Sequence, residues 1–282
     1  MKHLSTGKEW NLARKNAGLV LLPPFVSGYA SDNSRLYSTR LEAIKSISEF
    51  ILNSSEEFTV MSDSDVICNI DLKSVIKHHI KSENDITLVT KKMFISRGQP
   101  SNHIMVNSQG DRICQLEKIS QDTHGSVNVI TNITVMRTEL LKSIVIQSIA
   151  TGEKSFTEDV IKKSLKSLKI GEYLFDGTYF CIDSLSAFYH SNMELLNLNT
   201  QTSLFGISSM PIFTNVHSSP PTRYTNNSNV KNSLVADGCV IEGTVENSVL
   251  FRGVKVGKGA VVKNCILMQD TVIEAGANIE YL

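Results

Sequence analysis

Asp65 closes the acidic turn Ser62-Asp63-Ser64-Asp65, which follows the extended stretch Phe58-Thr59-Val60-Met61 and leads into Val66-Ile67-Cys68-Asn69-Ile70-Asp71. A carboxylate just past a strand end is placed to hold Mg²⁺ against substrate phosphates, because Mg²⁺ takes one or two carboxylates and keeps several waters. Taken alone, the same aspartate reads more plainly as a solvated or capping turn residue. Glu117-Lys118 ends another extended run, where an ammonium could meet a sugar phosphate as a point charge. An exposed edge ion pair is the plainer reading of those two residues. His78-His79 lie on a helix without ligand spacing and read as a solvated face, and no Ser/His/Asp or Cys/His arrangement has a recognisable local context. No glycine-rich loop occurs before residue 200. Nucleoside triphosphates are commonly cradled by such a loop opening a helix, so its absence weighs against triphosphate chemistry.

The elements that must position these groups alternate in type. Leu41, Ile44, Ile47 and Ile51 give a helical stripe, and Asp71 opens a second helix with Leu72, Val75, Ile76 and Ile80 on one face. Ile86–Val89, His103–Val106 and Ile113–Leu116 read as strands, the last two joined across Ser108-Gln109-Gly110-Asp111. Val127–Met136 is extended, and helices follow through Leu140, Leu141, Ile144 and Val145 and then Phe156, Val160, Ile161 and Leu165. Tyr179–Ile182 is a last strand before a helix through Leu185, Phe188, Tyr189, Met193 and Leu196. Alternation of this kind predicts an α/β domain over residues 1–205 with a mostly parallel sheet and ligands beyond the strands' carboxyl ends. Residues 206–232, rich in Asn, Ser, Thr and Pro, predict a linker.

From residue 233 to 282 the aliphatic residues count in sixes: Val235 and Ile241, then Val256, Val262 and Met268, then Ile273 and Ile279. Gly, Ala and Asp fill the intervals, which suits a coil of short parallel strands with Gly or Asn at corners that need positive φ.

Lys plus Arg and Asp plus Glu are 28 each, so no net field favours nucleic acid or an anionic membrane. No apolar run approaches the roughly 18 to 20 residues that span a bilayer. Cys68, Cys114, Cys181, Cys239 and Cys265 are scattered and odd in number, which predicts free thiols in a reducing cytoplasm.

In this order, the residues resemble bacterial glucose-1-phosphate adenylyltransferase, and especially its GlgD-type non-catalytic subunit. The likeness is carried by His3-Leu4, Gly7-Lys8-Glu9-Trp10-Asn11-Leu12, Leu22-Pro23-Pro24, Asp65 to Asp71, Leu116-Glu117-Lys118, Ala187-Phe188-Tyr189 and Asn192-Met193-Glu194-Leu195-Leu196. The resemblance implies a nucleotidyltransferase domain, Rossmann-like and GT-A-like, followed by a left-handed parallel β-helix opening near Pro220-Pro221-Thr222-Arg223-Tyr224. It implies adenylyl transfer from ATP to glucose 1-phosphate in glycogen synthesis, with Mg²⁺ between two aspartates and a sugar phosphate at Glu117 and Lys118. The first metal aspartate matches Asp65. The second falls in Tyr179-Phe180-Cys181-Ile182-Asp183, where Cys181 stands for the carboxylate. A thiol does not replace a hard oxygen ligand for Mg²⁺. The family's Tyr-Arg-Gly-Thr-Ala stretch matches Tyr37-Ser38-Thr39-Arg40-Leu41, without its glycine. Set against the family, the chain is expected to lack the first strands with their phosphate-binding segment and the end of the solenoid, leaving sheet edges for a partner to cover.

The expectation is therefore a regulatory subunit with a vestigial Asp65 and no productive Mg²⁺. Its partner would be a catalytic subunit, in a cytoplasmic hetero-tetramer, and a sugar phosphate or effector could still bind. Alternatives are an active adenylyltransferase with a degenerate site, or a non-functional fragment. A hexapeptide-repeat acyltransferase is disfavoured, because no histidine follows residue 217.

Overall fold

The computed structural model describes residues 4, 7–14, 18–22, 39–97, 102–214 and 218–282. His3, Pro23-Pro24 and Tyr37-Ser38 therefore lie outside the described residues. The chain forms two compact units, Asn16–Tyr179 and Met1–Lys15 with Phe180–Leu282.

In the first unit, Thr39 starts α1 (Arg40–Ser46) by accepting a hydrogen bond from the Glu42 amide at its side-chain oxygen. The predicted single stripe is broken at Ile47 into α1 and α2 (Ser48–Leu52), with Leu41, Ile44 and Ile51 buried. β1 (Phe58–Met61) and β2 (Val66–Cys68) flank the acidic turn. Asp71 caps α3 (Leu72–Lys81), accepting from the Lys73 amide at 3.0 Å and from Ser74 Oγ at 2.6 Å. β3 (Ile86–Ile95) follows, then β4 (Ile104–Gln109) and β5 (Arg112–Lys118), a hairpin turned at Gly110 with φ of 60°. β6 (Gly125–Arg137) runs straight into α4 (Thr138–Thr151), which stops at left-handed Gly152. A π-helical turn, Phe156–Ile161, leads to α5 (Lys162–Ser164) and β7 (Ile170–Leu174); β8 (Tyr179–Cys181) lies at the unit boundary.

The sheet order is β1-β6-β3-β7-β5-β4. The expectation of a mostly parallel sheet is corrected: β3 and β7 pair in parallel, but β6 lies antiparallel between β1 and β3, and β5 is antiparallel to both β7 and β4. The tight turn at Gly110 accounts for the β4–β5 pairing, since a hairpin can join only antiparallel strands. Apolar side chains cover both faces. Leu88, Ile130, Met136 and Ile170 pack with Leu41, Leu141 and Phe156 on one side, and Val89, Ile133 and Val135 pack with Val75 of α3 on the other. One polar node interrupts the first face. Glu172 on β7 accepts from Thr90 Oγ1 at 2.7 Å, from Asn128 Nδ2 at 2.8 Å and from Ser108 Oγ, so four strands share one carboxylate.

In the second unit, Ser184 caps α6 (Leu185–Glu194) and Asn197 caps α7 (Leu198–Phe205). The solenoid strands are β9 (Arg223–Tyr224), β10 (Asn229–Lys231), β11 (Leu234–Val235), β12 (Val240–Ile241), β13 (Thr244–Glu246) and β14 (Val249–Leu250). β15 (Lys255–Val256), β16 (Val261–Lys263), β17 (Ile266–Leu267), β18 (Val272–Ile273) and β19 (Asn278–Glu280) complete them. They stack as three parallel sheets, β9-β12-β15-β18, β10-β13-β16-β19 and β11-β14-β17, a left-handed β-helix of hexapeptide repeats. Three findings amend the sequence reading. The solenoid opens at Arg223, inside the segment read as linker, because Arg223 and Tyr224 pair with Val240 and Ile241. α6 and α7 join the solenoid unit instead of the sheet, and Tyr189 donates its hydroxyl to the Asn264 carbonyl at 2.9 Å. Met268 points outward, whereas Leu267 fills the interior, because β17 aligns Leu267 with the inward Leu250. Ile241, Val256, Val262 and Ile273 are buried as expected, joined by Cys239, Val245, Val254, Ala260 and Cys265.

Candidate functional site

Side chains gather where β1 ends and where β6 bulges beside Leu88 of β3; β1 and β3 share a direction because each is antiparallel to β6. Asp63 leaves β1 in the turn and forms a fork with Arg40, the first residue of α1. Arg40 Nε meets Asp63 Oδ1 at 2.7 Å, and Nη2 meets Oδ2. The two side chains keep only 18% and 32% of their exposure, so this is a partly desolvated, bidentate pair and not a surface contact. Beside it lies a cavity of about 10 Å³ lined by Arg40, Leu88, Asn132, Thr134, Phe156 and Thr157 among others. That volume holds about one water.

Asn132 reaches this wall by an unusual backbone. It sits inside β6 with φ of 63°, where the β3–β6 register slips between Leu88 and Thr90. A bulge there turns the strand locally and re-aims its side chains. Asparagine tolerates the left-handed region better than most residues, which explains its presence in mid-strand. The opposite wall is fixed by the π-helical turn. Phe156 is buried in the core, and Asp159 accepts from the Lys154 and Ser155 amides at 3.1 and 2.9 Å. Those hydrogen bonds, the one from Ser155 first, hold the Asp159 carboxyl below the usual range. Next along this turn from Thr157, Glu158 meets Lys162 at 3.2 Å and Lys118 at 3.9 Å.

Asp65 is half-buried two residues beyond Asp63, with its Oδ1 shut off from solvent. Lys118 stays 77% exposed at the end of β5, on the same sheet face as Leu116. Glu117 accepts from Gln115 Nε2. Strand alternation sends Glu117 to the other face, so these sequence neighbours do not point into one pocket. Cys181 ends β8 as a half-buried thiol in the other unit. Among the described residues, no group of three or more His, Cys, Asp or Glu side chains is arranged to hold a metal ion.

The sequence is similar to known proteins. Residues 220–282 match the family described as GlmU-like, C-terminal hexapeptide. The glycogen biosynthesis protein GlgD of Bacillus subtilis is 34% identical over 266 residues, covering 93% of this chain and 65% of that protein. GlgD of Geobacillus stearothermophilus is 35% identical over 265 residues, again 93% of this chain and 65% of the relative. The chain is similar to GlgD and to the glucose-1-phosphate adenylyltransferases. A glucose-1-phosphate adenylyltransferase of Clostridium perfringens is 28% identical over 276 residues, 97% of this chain and 70% of the enzyme. The chain spans 65% of the length of the GlgD proteins that it matches.

Sequence and resemblance point to Asp65, Glu117, Lys118 and Cys181, none of which lines this cavity; Arg40, Asp63, Asn132 and Thr157 are the residues that the fold brings to one place, from four separate elements or turns. Only one signal was available: a doubled aspartate, Asp63 and Asp65, in a single turn.

Proposed function

We propose that this chain acts in glycogen biosynthesis as a GlgD-type, non-catalytic subunit that assembles with a glucose-1-phosphate adenylyltransferase and adjusts its activity. The observation that carries the reading is the donor set. Asp65 keeps a carboxylate in the turn between β1 and β2, while the resemblance puts the thiol of Cys181 at the family's second metal position. Mg²⁺ requires hard oxygen donors at close to octahedral geometry, and a neutral sulfur does not supply one. The residues present do not fit the ion, so no adenylyl-transfer step is derived through it. The Arg40–Asp63 fork supports the same reading, since it fills space at the strand ends where substrates of α/β folds bind. Lys118, exposed and only loosely paired with Glu158, remains available for a sugar phosphate.

The test is co-expression with the catalytic subunit of the same organism. The expected result is co-purification as a mixed oligomer, with a change in the catalytic subunit's KM for glucose 1-phosphate. ADP-glucose formation by the purified chain alone at ordinary enzyme rates would overturn the proposal. No helix among the described residues is long and apolar enough to cross a membrane, and a cytoplasmic site of action is part of this proposal.

A further inference from the structure

We propose that Arg40 is the centre of a phosphate-binding site and that Asp63 is an internal carboxylate occupying it. A guanidinium presents a planar fork that accepts carboxylate and phosphate oxygens in the same bidentate way. The structure shows that fork engaged by Asp63 through both pairs of atoms. Asn132, Thr134 and Thr157 line the same cavity among apolar Leu88, Ile130, Phe156 and Ile161, and their side chains carry neutral groups of a kind that donates to oxyanion oxygens. Next to Thr157 in the chain, Glu158 is approached by both Lys118 and Lys162. The left-handed backbone of Asn132 in the middle of β6 belongs to this wall too, and strain of that kind collects at ligand sites.

The closed cavity, about 10 Å³, is too small for a phosphate. Entry therefore requires Asp63 to leave. Its carboxylate lies on a turn and is already a third exposed, so it can rotate into water, whereas Arg40 is more deeply set and would be left with an unpaired charge. Asp63 and the incoming anion compete for one fork. If the fork is engaged about 99% of the time, the apparent affinity for phosphate falls roughly a hundredfold below its intrinsic value. Removing the competitor should reveal the site. Phosphate binding at Arg40 does not depend on assembly with a catalytic subunit.

The experiment titrates the purified full chain, as wild type, D63N and R40Q/D63N, with inorganic phosphate and separately with glucose 1-phosphate, following binding calorimetrically. The expected result is at least a tenfold tightening for phosphate in D63N, abolished in R40Q/D63N. Similar gains for both probes identify the phosphoryl group as the recognised element. A larger gain for glucose 1-phosphate identifies a phosphate ester as the source. Circular dichroism checks folding, and D63S replaces D63N if that variant does not fold. A folded D63N or D63S with wild-type affinity for both probes overturns the proposal. So does a gain that survives in R40Q/D63N, or one confined to glucose 1-phosphate with no response to inorganic phosphate.

Discussion

Asparagines in the left-handed region occur in both units, and they do different work. In the solenoid, Asn232, Asn247 and Asn264 have φ of 42°, 45° and 51° and recur at one corner of successive coils. Asn232 donates to the side-chain carbonyl of Asn247 at 2.8 Å. Gly238, Gly253 and Asp270 form a second such column. In the sheet, Asn132 has the same backbone geometry once, in mid-strand, beside an ion pair. A repeated left-handed residue is part of the architecture, because every coil must turn at the same place. A solitary one in a strand has no such duty, and its cost is sustained by what surrounds it.

The contrast extends to how each unit is held together, and it can be broken by substitution. Ile241 is fully enclosed between coils, so Ile241→Ala should cost about 2 to 5 kcal/mol in urea denaturation of the solenoid unit. A smaller loss would mean that the coils relax around the hole. In the sheet, an equally local change should act through hydrogen bonds. Glu172→Ala strands the donors of Thr90, Ser108 and Asn128 and should cost about 1 to 3 kcal/mol, with Glu172→Gln retaining part of the stability. At the solenoid corner, Asn247→Val should lose about 1 to 2 kcal/mol while Asn247→Gly stays near wild type, because only the branched side chain opposes positive φ. Equal effects of the two would dissolve the distinction between corner and strand asparagines.

A fourth outcome belongs to the sheet unit alone. His79 on α3 is buried, with its Nδ1 2.8 Å from the hydroxyl of Thr87, which also accepts from Asn84 Nδ2 at 3.2 Å. His79 therefore sits in a buried, hydrogen-bonded site. Burial, reinforced by the nearby charge of Arg137, pushes its pKa below 6.5. The unfolded chain then binds the proton more readily than the folded one. The stability contributed by neutral His79 is complete above about pH 6.5 and drains away as pH falls through that value toward the folded pKa. Thermal melts from pH 7.5 to 5 should show this loss, and His79→Gln should flatten the slope. The smallest effect is expected at Met268, half-exposed on the outside of a coil. Met268→Ala should stay within about 0.5 kcal/mol, and a large loss would restore it to the interior.

The solenoid was legible because its information is local and repeated. A coil's inward residue, its corner and its neighbour's corner all recur at short spacing, so a pattern such as Val256, Val262 and Ile273 identifies the interior without knowledge of the rest. The error at Met268 came from a one-residue choice between adjacent apolar side chains, which strand pairing with Leu250 decides. The strands of the sheet were also visible as extended runs, but not their directions, since pairing partners such as Phe58 and Arg137 are far apart in the chain.

By itself, the sequence determined the α/β unit followed by a hexapeptide coil and the likeness to GlgD. These depend on residue type and spacing, which are written along the chain. Only the tertiary structure decided that Arg40 and Asp63 close on one another and that Asn132 and Thr157 share a wall with them. It also decided that Glu117 and Lys118 part to opposite faces. Those are relations between a helix start, a turn, a bulge and a π-helical turn. Folding brings them together by burying apolar faces on which none of the four polar side chains announces its destination.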